Sequence, residues 1–265
     1  MAKKWAYGVT TTAARRSTLL PRTLKSLEVA GFNEPHLFVD GCYDQQSWVR
    51  EFKLPVTSHY PQIGAFPNWY LALTQLWMIS KGQANYYAIF QDDLVTCQGL
   101  RSFLEGVQWP ICGYLNLYEF PHNWEQNKIN NQGKDIRGWY KGIRCREGKA
   151  PPGYQRGLGA VALVFNNDGV ELLLNSRSML LKCQDKDFGT KKIDGAIVSA
   201  MNDKRWYEFV HNPSLVQHTG EVTTIKGNVR HPQALSFPGE NYNLMDLYND
   251  PYYDPIPDQR SYVIY

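Results

Sequence analysis

The stretch Tyr86-Tyr87-Ala88-Ile89-Phe90-Gln91-Asp92-Asp93-Leu94 is an apolar run that ends in two adjacent acids. Such a run is typical of a buried strand, and it places Asp92 and Asp93 at the carboxyl end, where open α/β sheets bind their ligands. Adjacent carboxylates repel each other unless a cation or hydrogen-bond donors compensate, and their oxygens suit Mg²⁺ or Mn²⁺. Acids at this place also fit a turn or a helix N-cap, so both interpretations are open.

Strand and helix patterns alternate along most of the chain. The predicted strands include 5–10, 36–39, 113–117 and 159–165, and the predicted helices include 18–30, 65–79 and 168–174. The polar, glycine-containing segment 121–152 predicts a long loop or a small hairpin. This alternation predicts an α/β fold with a mostly parallel sheet flanked by helices and with ligands at the strand carboxyl ends.

Length and composition indicate one main domain. The chain has 265 residues, of which 43% are hydrophobic, enough for one sizeable core. We expect residues 1–225 to form this domain and 226–265, rich in Pro, Asn, Asp and Tyr, to form an irregular extension packed on it. No apolar stretch is long enough to span a bilayer and no signal-peptide pattern is present, which predicts a cytoplasmic location.

Cysteines and charge exclude some classes of protein. The five cysteines lack C-x-x-C spacing, which argues against a zinc knuckle or a disulfide framework. The formal charge of +3 is too small to indicate a dedicated nucleic-acid binder.

Polar residues also follow the first two predicted strands. Thr10, Thr11 and Thr12 end the first strand, and Asp40 ends the second. The ends of neighbouring parallel strands meet at one sheet edge, so these groups are candidates for hydrogen bonds to a nucleoside. Each segment taken alone is also an ordinary turn.

Two later residues are candidates for the same edge. Asp194 precedes an apolar helical stretch, where it fits either a functional acid or an N-cap. His218 follows a short apolar strand, and imidazole with carboxylate and phosphate oxygens makes a suitable Mn²⁺ shell, although single histidines are often structural.

In their order and spacing, eight short motifs resemble the GT-A class of nucleotide-sugar-dependent glycosyltransferases, and most closely its bacterial and phage family-2-like members. These motifs are V-T-T-T at 9–12, R-T-L-K-S-L at 22–27, F-V-D-G at 38–41, G-A-F-P-N-W at 64–69, F-Q-D-D at 90–93, G-L-G-A at 157–160, I-D-G at 193–195 and V-Q-H-T-G at 216–220. The resemblance covers most of residues 5–225 and implies a Rossmann-like GT-A fold.

This resemblance also implies roles for the acids and the histidine. Gln91, Asp92 and Asp93 take the place of the D-x-D motif, with Gln91 in place of its first acid. Asp93 is then the metal ligand, Asp92 lies near the donor sugar or ribose, and His218 completes the Mn²⁺ or Mg²⁺ shell. Asp194 matches the catalytic base of the inverting members.

The resemblance also implies a set of residues that bind the nucleotide sugar, for which UDP is the expected nucleotide. They are Thr10, Thr11, Thr12, Asp40, Asn68, Gln91, Asp92 and Gly159. Asn68 also fits a hydrogen bond at a helix start, and Gly159 also fits a tight turn before a strand.

The implied activity is transfer of a sugar from a nucleotide sugar to a hydroxyl of a glycan acceptor. A single carboxylate suffices for inversion, and the sequence shows no second nucleophile. The alternative acceptor is a 5-hydroxymethylpyrimidine in phage DNA, modified in the host cytoplasm, because it has a free hydroxyl that ordinary bases lack. Its C5 substituent projects into the major groove, where it can be reached without full base flipping. The basic and aromatic residues between 137 and 149 fit such a nucleic-acid surface or a solvated loop.

Two other classes of protein compete with this interpretation. A non-catalytic nucleotide-sugar or glycan-binding module is favoured by Gln91, which replaces an acid. A nucleotidyltransferase would show a Gly-rich basic loop after the first strand, and residues 10–16 only partly have that character.

Overall fold

The structure is a computed structural model that describes residues 3–133, 137–145, 153–184, 193–220 and 231–255. The predicted boundary between residues 225 and 226 lies outside these ranges, as do Arg146 and Lys149 of the basic and aromatic segment. The division of the chain into 1–225 and 226–265 therefore stays a prediction.

The described residues form eleven strands and eight α-helices. The strands are β1 (Trp5–Thr12), β2 (His36–Asp40), β3 (Val56–His59), β4 (Tyr86–Gln91), β5 (Leu94–Thr96), β6 (Gly113–Asn116), β7 (Arg137–Lys141), β8 (Ala162–Asn166), β9 (Tyr207–Asn212), β10 (Val216–His218) and β11 (Tyr253–Asp254). The helices are α1 (Leu20–Val29), α2 (Gln45–Phe52), α3 (Ala65–Ser80), α4 (Leu100–Gly106), α5 (Pro121–Asn130), α6 (Asn167–Leu174), α7 (Arg177–Gln184) and α8 (Ile193–Asn202).

Within the described ranges, nine strands form one mixed sheet in the order β11-β7-β9-β6-β8-β4-β1-β2-β3. Strands β4, β1, β2 and β3 are mutually parallel, and the pairs β6–β9 and β7–β11 are parallel as well. Strand β8 runs antiparallel to both β4 and β6, and β7 runs antiparallel to β9. The predicted α/β fold class, with a mostly parallel sheet flanked by helices, is confirmed.

Strand β4 is buried and largely apolar from Tyr86 to Phe90 because helices cover both faces of the sheet. Its alternate residues belong to two different cores: Ala88 and Phe90 lie in one, Tyr87 and Ile89 in the other. The first core includes side chains of α1 and α4, and the second includes side chains of α3, α6 and α8. A strand buried on both faces reads as a continuous apolar run, and this explains the sequence pattern.

The parallel registers bring the predicted polar groups to one edge of the sheet. Thr12 of β1 pairs with Asp40 of β2, and Thr10 pairs with Gln91 of β4. Strands β5 and β10 form a separate antiparallel pair in which His218 lies opposite Leu94. This two-stranded sheet places His218 beside Asp92 and Asp93, which precede Leu94.

The prediction of a long loop or hairpin over 121–152 is wrong for the described part of that segment. It contains helix α5 and strand β7, which is an integral part of the central sheet. Trp139 is 4% exposed and packs edge-on against His211, while Arg137 pairs with Asp250. The strand Arg137–Lys141 has a cation at each end and two adjacent aromatic residues between them, a pattern too short to separate from a loop.

Residues 231–255 lie against the main body. Leu244 and Leu247 are completely buried, and Tyr253–Asp254 adds an edge strand to β7. None of the helices in the described part of the chain is both long enough and apolar enough to cross a membrane.

Candidate functional site

The two acids lie in a tight turn that connects β4 to β5. Asp92 and Asp93 are 2% and 1% exposed. The turn leads into strand β5, so neither acid caps a helix, and this alternative for them is excluded. Two buried carboxylates in sequence need positive charge or hydrogen-bond donors to compensate them.

Part of that compensation comes from the end of β1. Thr11 Oγ1 donates to Asp92 Oδ2 at 2.5 Å, and Arg15 Nη1 lies 2.5 Å from Asp92 Oδ1 and 2.7 Å from Asp93 Oδ2. Burial raises the pKa of Asp92 to about 6, although Arg15 and Thr11 both favour its ionised form. Burial alone would lower the pKa of Arg15, but the two carboxylates outweigh it and raise that pKa.

Asp93 is also part of a second group. One ligand atom from each of Asp93, His218 and His231 can be chosen so that all three lie within 4.8 Å of one another. Within the described residues, Asp93 Oδ1 and His231 Nε2 are buried and have no hydrogen-bond partner. The two imidazole rings stack with centroids 3.9 Å apart, and Thr219 N donates to the Asp93 carbonyl at 2.7 Å. Unpaired buried polar atoms are costly, which makes this group a candidate metal centre.

Both histidines are electrically neutral near neutral pH. Burial lowers the pKa of His218 to about 4 and also lowers the pKa of His231. Gly220 N donates to His218 Nδ1 at 3.1 Å, so the neutral ring carries its proton on Nε2, which lies 3.5 Å from Asp93 Oδ2. Coordination through Nε2 therefore requires this proton to leave that atom and the Gly220 amide to turn away from Nδ1.

Sequence reasoning missed His231, which lies in the Pro- and Asn-rich C-terminal region. The segment 231–236 is tied to the body by Tyr118, whose hydroxyl donates to the Pro232 carbonyl, and by Gln217, whose amide group makes two hydrogen bonds with the Ala234 backbone. No local periodicity predicts these contacts, because they join parts of the chain that are distant in sequence. The only signal was the presence of an imidazole itself.

A cleft of about 240 Å³ lies beside the candidate metal centre. It brings together four residues predicted from the sequence and His231, which was not predicted. The residues that line it are Gln91, Tyr118, Phe120, Gly159, Ala160, Val161, Ile193, Asp194, His218, His231 and Pro232.

Asp194 enters the cleft from the first turn of α8. Its Oδ2 accepts a hydrogen bond from Gly159 N at 3.0 Å, and its Oδ1 accepts one from Gly195 N at 2.9 Å. Two backbone amides thus fix the orientation of the carboxylate. Asp194 is the only acid among the cleft-lining residues in the described part of the chain.

The loop before β8 requires its glycines because the backbone of α8 approaches it closely. A Cβ atom on Gly157 would lie 2.2 Å from the Asp194 carbonyl oxygen. Gly159 has φ of +76°, and a Cβ there would lie 2.5 Å from Tyr118 Cδ1. These two positions therefore exclude side chains, and they hold the Gly159 amide against Asp194.

The other predicted nucleoside-binding residues make hydrogen bonds within the protein. Asp40 accepts from the amides of Ile63 and Gly64 just before α3, at 2.8 and 2.9 Å. Asn68 is 3% exposed; its amide donates to the Phe38 carbonyl, and its side-chain oxygen lies 2.8 Å from His59 Nδ1.

The side chains at the end of β1 are mostly engaged as well. Thr11 binds Asp92, and Thr10 Oγ1 donates weakly to the Phe90 carbonyl at 3.4 Å. Thr12 is half-buried beside Asp40 in the β1–β2 register. A role in donor binding for Thr10, Thr11, Thr12, Asp40 and Asn68 stays a prediction.

A buried polar network that the sequence did not reveal lies beneath the cleft. Glu208 of β9 accepts hydrogen bonds from the Tyr114 hydroxyl and the Asn116 amide, and burial raises the pKa of Glu208 to about 8. Asn116 also donates to the Leu158 carbonyl at 3.0 Å. The side chain of Gln155 makes hydrogen bonds to both the backbone N–H and the backbone carbonyl of Glu208. The network therefore anchors the loop that positions Gly159.

No protein-family model matches the chain, and no curated protein matches it. Similar solved structures include the glycosyltransferase GlyE of Streptococcus pneumoniae TIGR4, at 12% identity and a TM-score of 0.41; the match covers 78% of this chain and 45% of that chain. Mouse xyloside xylosyltransferase 1 in its apo form matches at 14% identity and a TM-score of 0.35, covering 75% of this chain and 81% of that chain.

A third similar structure is the nucleoside-diphosphate-sugar pyrophosphorylase of Vibrio cholerae RC9, at 11% identity and a TM-score of 0.44, covering 81% of this chain and 95% of that chain. The side chains at the sheet edge, rather than these distant similarities, carry the functional proposal.

Proposed function

We propose that this chain is a GT-A-type glycosyltransferase that uses a nucleotide-sugar donor, with UDP as the expected nucleotide. The observation that carries the proposal is the pairing of a buried acid–histidine group with a separate, amide-held carboxylate across one cleft. Sugar transfer from a nucleoside diphosphate needs two such functions: positive charge at the leaving group and a proton acceptor at the attacking hydroxyl.

The donor set of Asp93, His218 and His231 fits a divalent transition metal such as Mn²⁺, and Mg²⁺ is the alternative with harder ligands. Asp93 Oδ1 and His231 Nε2 support this fit, since both atoms are buried without a partner in the described structure. When bound there, the cation would act as a Lewis acid that neutralises the diphosphate leaving group. His218 and His231 would enter as neutral ligands because burial lowers the pKa of both.

Asp194 is proposed as the catalytic base. Its carboxylate would accept the proton of the acceptor hydroxyl as that oxygen forms a bond to C1 of the sugar and the bond from C1 to the diphosphate oxygen breaks. The amides of Gly159 and Gly195 hold the carboxylate in one orientation during this transfer. A single acid lining the described cleft supports direct displacement with inversion.

A glycan is the proposed acceptor. Tyr118 and Phe120 line the cleft, and aromatic faces of this kind pack well against sugar rings. Hydroxymethylated DNA stays the alternative, but several of the described basic and aromatic residues that suggested it have partners within the protein. Trp139 is buried in the core, and the Lys141 amine lies over the Tyr207 ring, 4.2 Å from its centroid.

The non-catalytic alternative predicts that at least one of the metal and base positions has been lost. Asp93, Asp194 and His218 are all present, and the last two line the same cleft. Gln91, which prompted this alternative, donates to the Ala160 carbonyl at 2.8 Å and so has a structural explanation. A cytoplasmic location stays a prediction.

The decisive experiment is a thermal-shift screen of nucleoside diphosphates and nucleotide sugars, each with and without Mn²⁺. Specific binding raises the apparent stability by mass action, so one donor is expected to raise the melting temperature in a metal-dependent way. Asp93→Asn should abolish the metal-dependent part, whereas the exposed Asp168→Asn in α6 should not. The absence of a shift with every donor would overturn the proposed donor site and favour the non-catalytic module.

A positive screen would be followed by a transfer assay with glycans and with hydroxymethylated duplex DNA. Transfer to a glycan hydroxyl is expected, and transfer to DNA alone would replace the glycan as the acceptor. The anomeric configuration of the product, measured by NMR, tests inversion directly. A product that retains the donor configuration would contradict the single-base mechanism.

A further inference from the structure

Arg15 occupies an unusual position for a side chain next to a candidate cation site. It ends the short 3₁₀ helix Ala13–Arg15 that follows β1, and its side chain is 15% exposed. Its guanidinium contacts both acids, and at Asp93 it contacts Oδ2, the oxygen that faces His218. The chain thus places a cation of its own on the proposed metal ligand.

Asp92 serves to hold this arginine. One of its oxygens accepts from Thr11, the other contacts Arg15, and Asp92 does not belong to the group of possible metal ligands. The side chain of Asp92 is 3% exposed. Its polar atoms are therefore occupied by protein donors, and Asp92 fixes the guanidinium beside Asp93.

The charges around this site oppose the binding of a free divalent cation. The guanidinium already occupies one oxygen of each carboxylate, and these three ionised groups together carry one formal negative charge. A divalent ion on Asp93 would be repelled by a guanidinium bound to the same carboxylate. A diphosphate changes this balance, because it adds negative charge, oxygen ligands for the ion and a second partner for the guanidinium.

We propose that Arg15 is the resident counter-ion of Asp93, that it keeps the affinity for free divalent cations low, and that it thereby makes cation binding depend on the nucleotide. Arg15 acts here as a positioning and selectivity residue. The inference rests on the proposed function, since it requires a cation at Asp93.

A purely structural role for Arg15 makes the opposite prediction for cation affinity. If the ion pairs only maintained the local fold, their removal would disorder the turn and weaken Mn²⁺ binding. If Arg15 competes with the cation, its removal leaves two uncompensated acids and strengthens Mn²⁺ binding. A gain of affinity therefore separates the two roles.

The experiment is a Mn²⁺ titration of the full chain, with free Mn²⁺ measured by electron paramagnetic resonance. Compared with the wild type, Arg15→Gln and Arg15→Met are expected to bind Mn²⁺ at least about tenfold more tightly without nucleotide. Arg15→Lys, which keeps the charge, is the matched control and is expected to stay within about threefold of the wild type. Circular dichroism verifies that each variant is folded.

A second measurement tests the dependence on nucleotide. The affinity for UDP is measured by calorimetry with and without Mn²⁺, because the coupling between the two ligands is reciprocal. The gain in UDP affinity produced by Mn²⁺ is expected to be smaller in Arg15→Gln than in the wild type. An unchanged gain would overturn the proposed coupling.

Asp93→Asn, made alone and together with Arg15→Gln, locates the bound ion. If Mn²⁺ binding depends on Asp93 but is unchanged or weaker in both neutral variants, the role of Arg15 is overturned and the metal centre stands. If Mn²⁺ binds to none of the proteins even when UDP is present, or binds regardless of Asp93, both the inference and the proposed metal centre fall. If both neutral variants fail to fold while Arg15→Lys folds, the arginine is structural and the inference is overturned.

Discussion

Asp194, which lines the cleft, and Asp93, in the candidate metal centre beside it, are built in opposite ways. Asp93 is almost completely buried at the end of a central strand, and it faces a guanidinium and an imidazole. Asp194 is half-buried in the first turn of a helix, and both of its oxygens accept hydrogen bonds from backbone amides. A carboxylate beside imidazole nitrogens suits a cation site, at which the guanidinium is the competing positive charge, whereas neutral amide donors leave a carboxylate able to accept a proton.

This difference indicates that the sheet and the loops contribute differently to the chemistry. Asp93 is positioned by a β ladder on each side of its turn, through β4 and β5, so its location is rigid. Asp194 is positioned by contact between the Gly157–Gly159 loop and α8, so its location depends on local packing. Mutations at the two acids should therefore affect different steps.

The largest effect is expected for Asp93→Asn. Loss of the anionic ligand removes the proposed cation and with it several kcal/mol of charge stabilisation, so kcat/KM for transfer should fall by about a thousandfold or more. Steady-state kinetics over a Mn²⁺ series would measure this fall, with Asp168→Asn as the matched control. If Asp93→Asn had the activity and the Mn²⁺ dependence of the wild type, Asp93 would not be the metal ligand and the proposed difference from Asp194 would fail.

Asp194→Asn is expected to reduce kcat by about a hundredfold to ten-thousandfold, the range typical of a removed general base. Donor affinity should stay unchanged, because an asparagine oxygen still accepts the Gly159 amide hydrogen. Calorimetry of donor binding together with single-turnover transfer separates the two effects. A loss of donor binding as large as the loss in kcat would mean that Asp194 belongs to the donor site.

Loss of either histidine of the candidate metal centre should have an intermediate effect on Mn²⁺ binding. His218→Ala and His231→Ala are each expected to weaken Mn²⁺ binding by about tenfold, since water can replace a neutral ligand. The exposed His122→Ala serves as the matched control. A Mn²⁺ titration that is the same for His231→Ala and the wild type would remove His231 from the proposed shell.

The last prediction concerns stability beneath the Asp194 side of the cleft, and it involves no change in activity. Burial raises the pKa of Glu208 to about 8, so the folded protein holds a proton that the unfolded chain releases above the ordinary pKa of 4.5. The free energy of unfolding should therefore fall as the pH rises from 4.5 to 8, with a slope of at most about 1.4 kcal/mol per pH unit from this group.

Glu208→Gln should remove this slope while keeping an oxygen for Tyr114 and Asn116. Urea unfolding at several pH values measures the difference, and the exposed Glu125→Gln is the control. If the unfolding free energies of Glu208→Gln and the wild type vary in parallel with pH, Glu208 does not hold the extra proton.

The sequence predicted the elements that local patterns define. The apolar run of β4 indicated a buried strand that leads into Asp92 and Asp93. Asp194 and His218 were candidates because they lie just before an apolar helical stretch and just after a short apolar strand. Strand β7 was missed because a short segment that combines cations with aromatic residues also fits a solvated loop. Local periodicity gave the helices and strands, but it contains no information about which ends meet.

The contacts that define the site join residues far apart in the chain. Arg15 lies 77 residues before Asp92, and Tyr118 lies 114 residues before Pro232, whose carbonyl it binds. The pairing of Arg15 with the acids, the position of His231 and the network of Glu208 all depend on such contacts. They follow from the packed fold, and the local patterns of a single sequence do not reveal them.

Segment 231–236 follows the other residues of the candidate site in the sequence, so the ribosome adds it to the site last. A chain synthesised only as far as β10 already contains Asp92, Asp93, Asp194 and His218. It also contains every strand of the described central sheet except the edge strand β11. Its candidate metal centre still lacks His231, and its cleft still lacks the lining residue Pro232. A nascent chain of this length therefore contains most strands of the described sheet before it contains all of the proposed metal ligands.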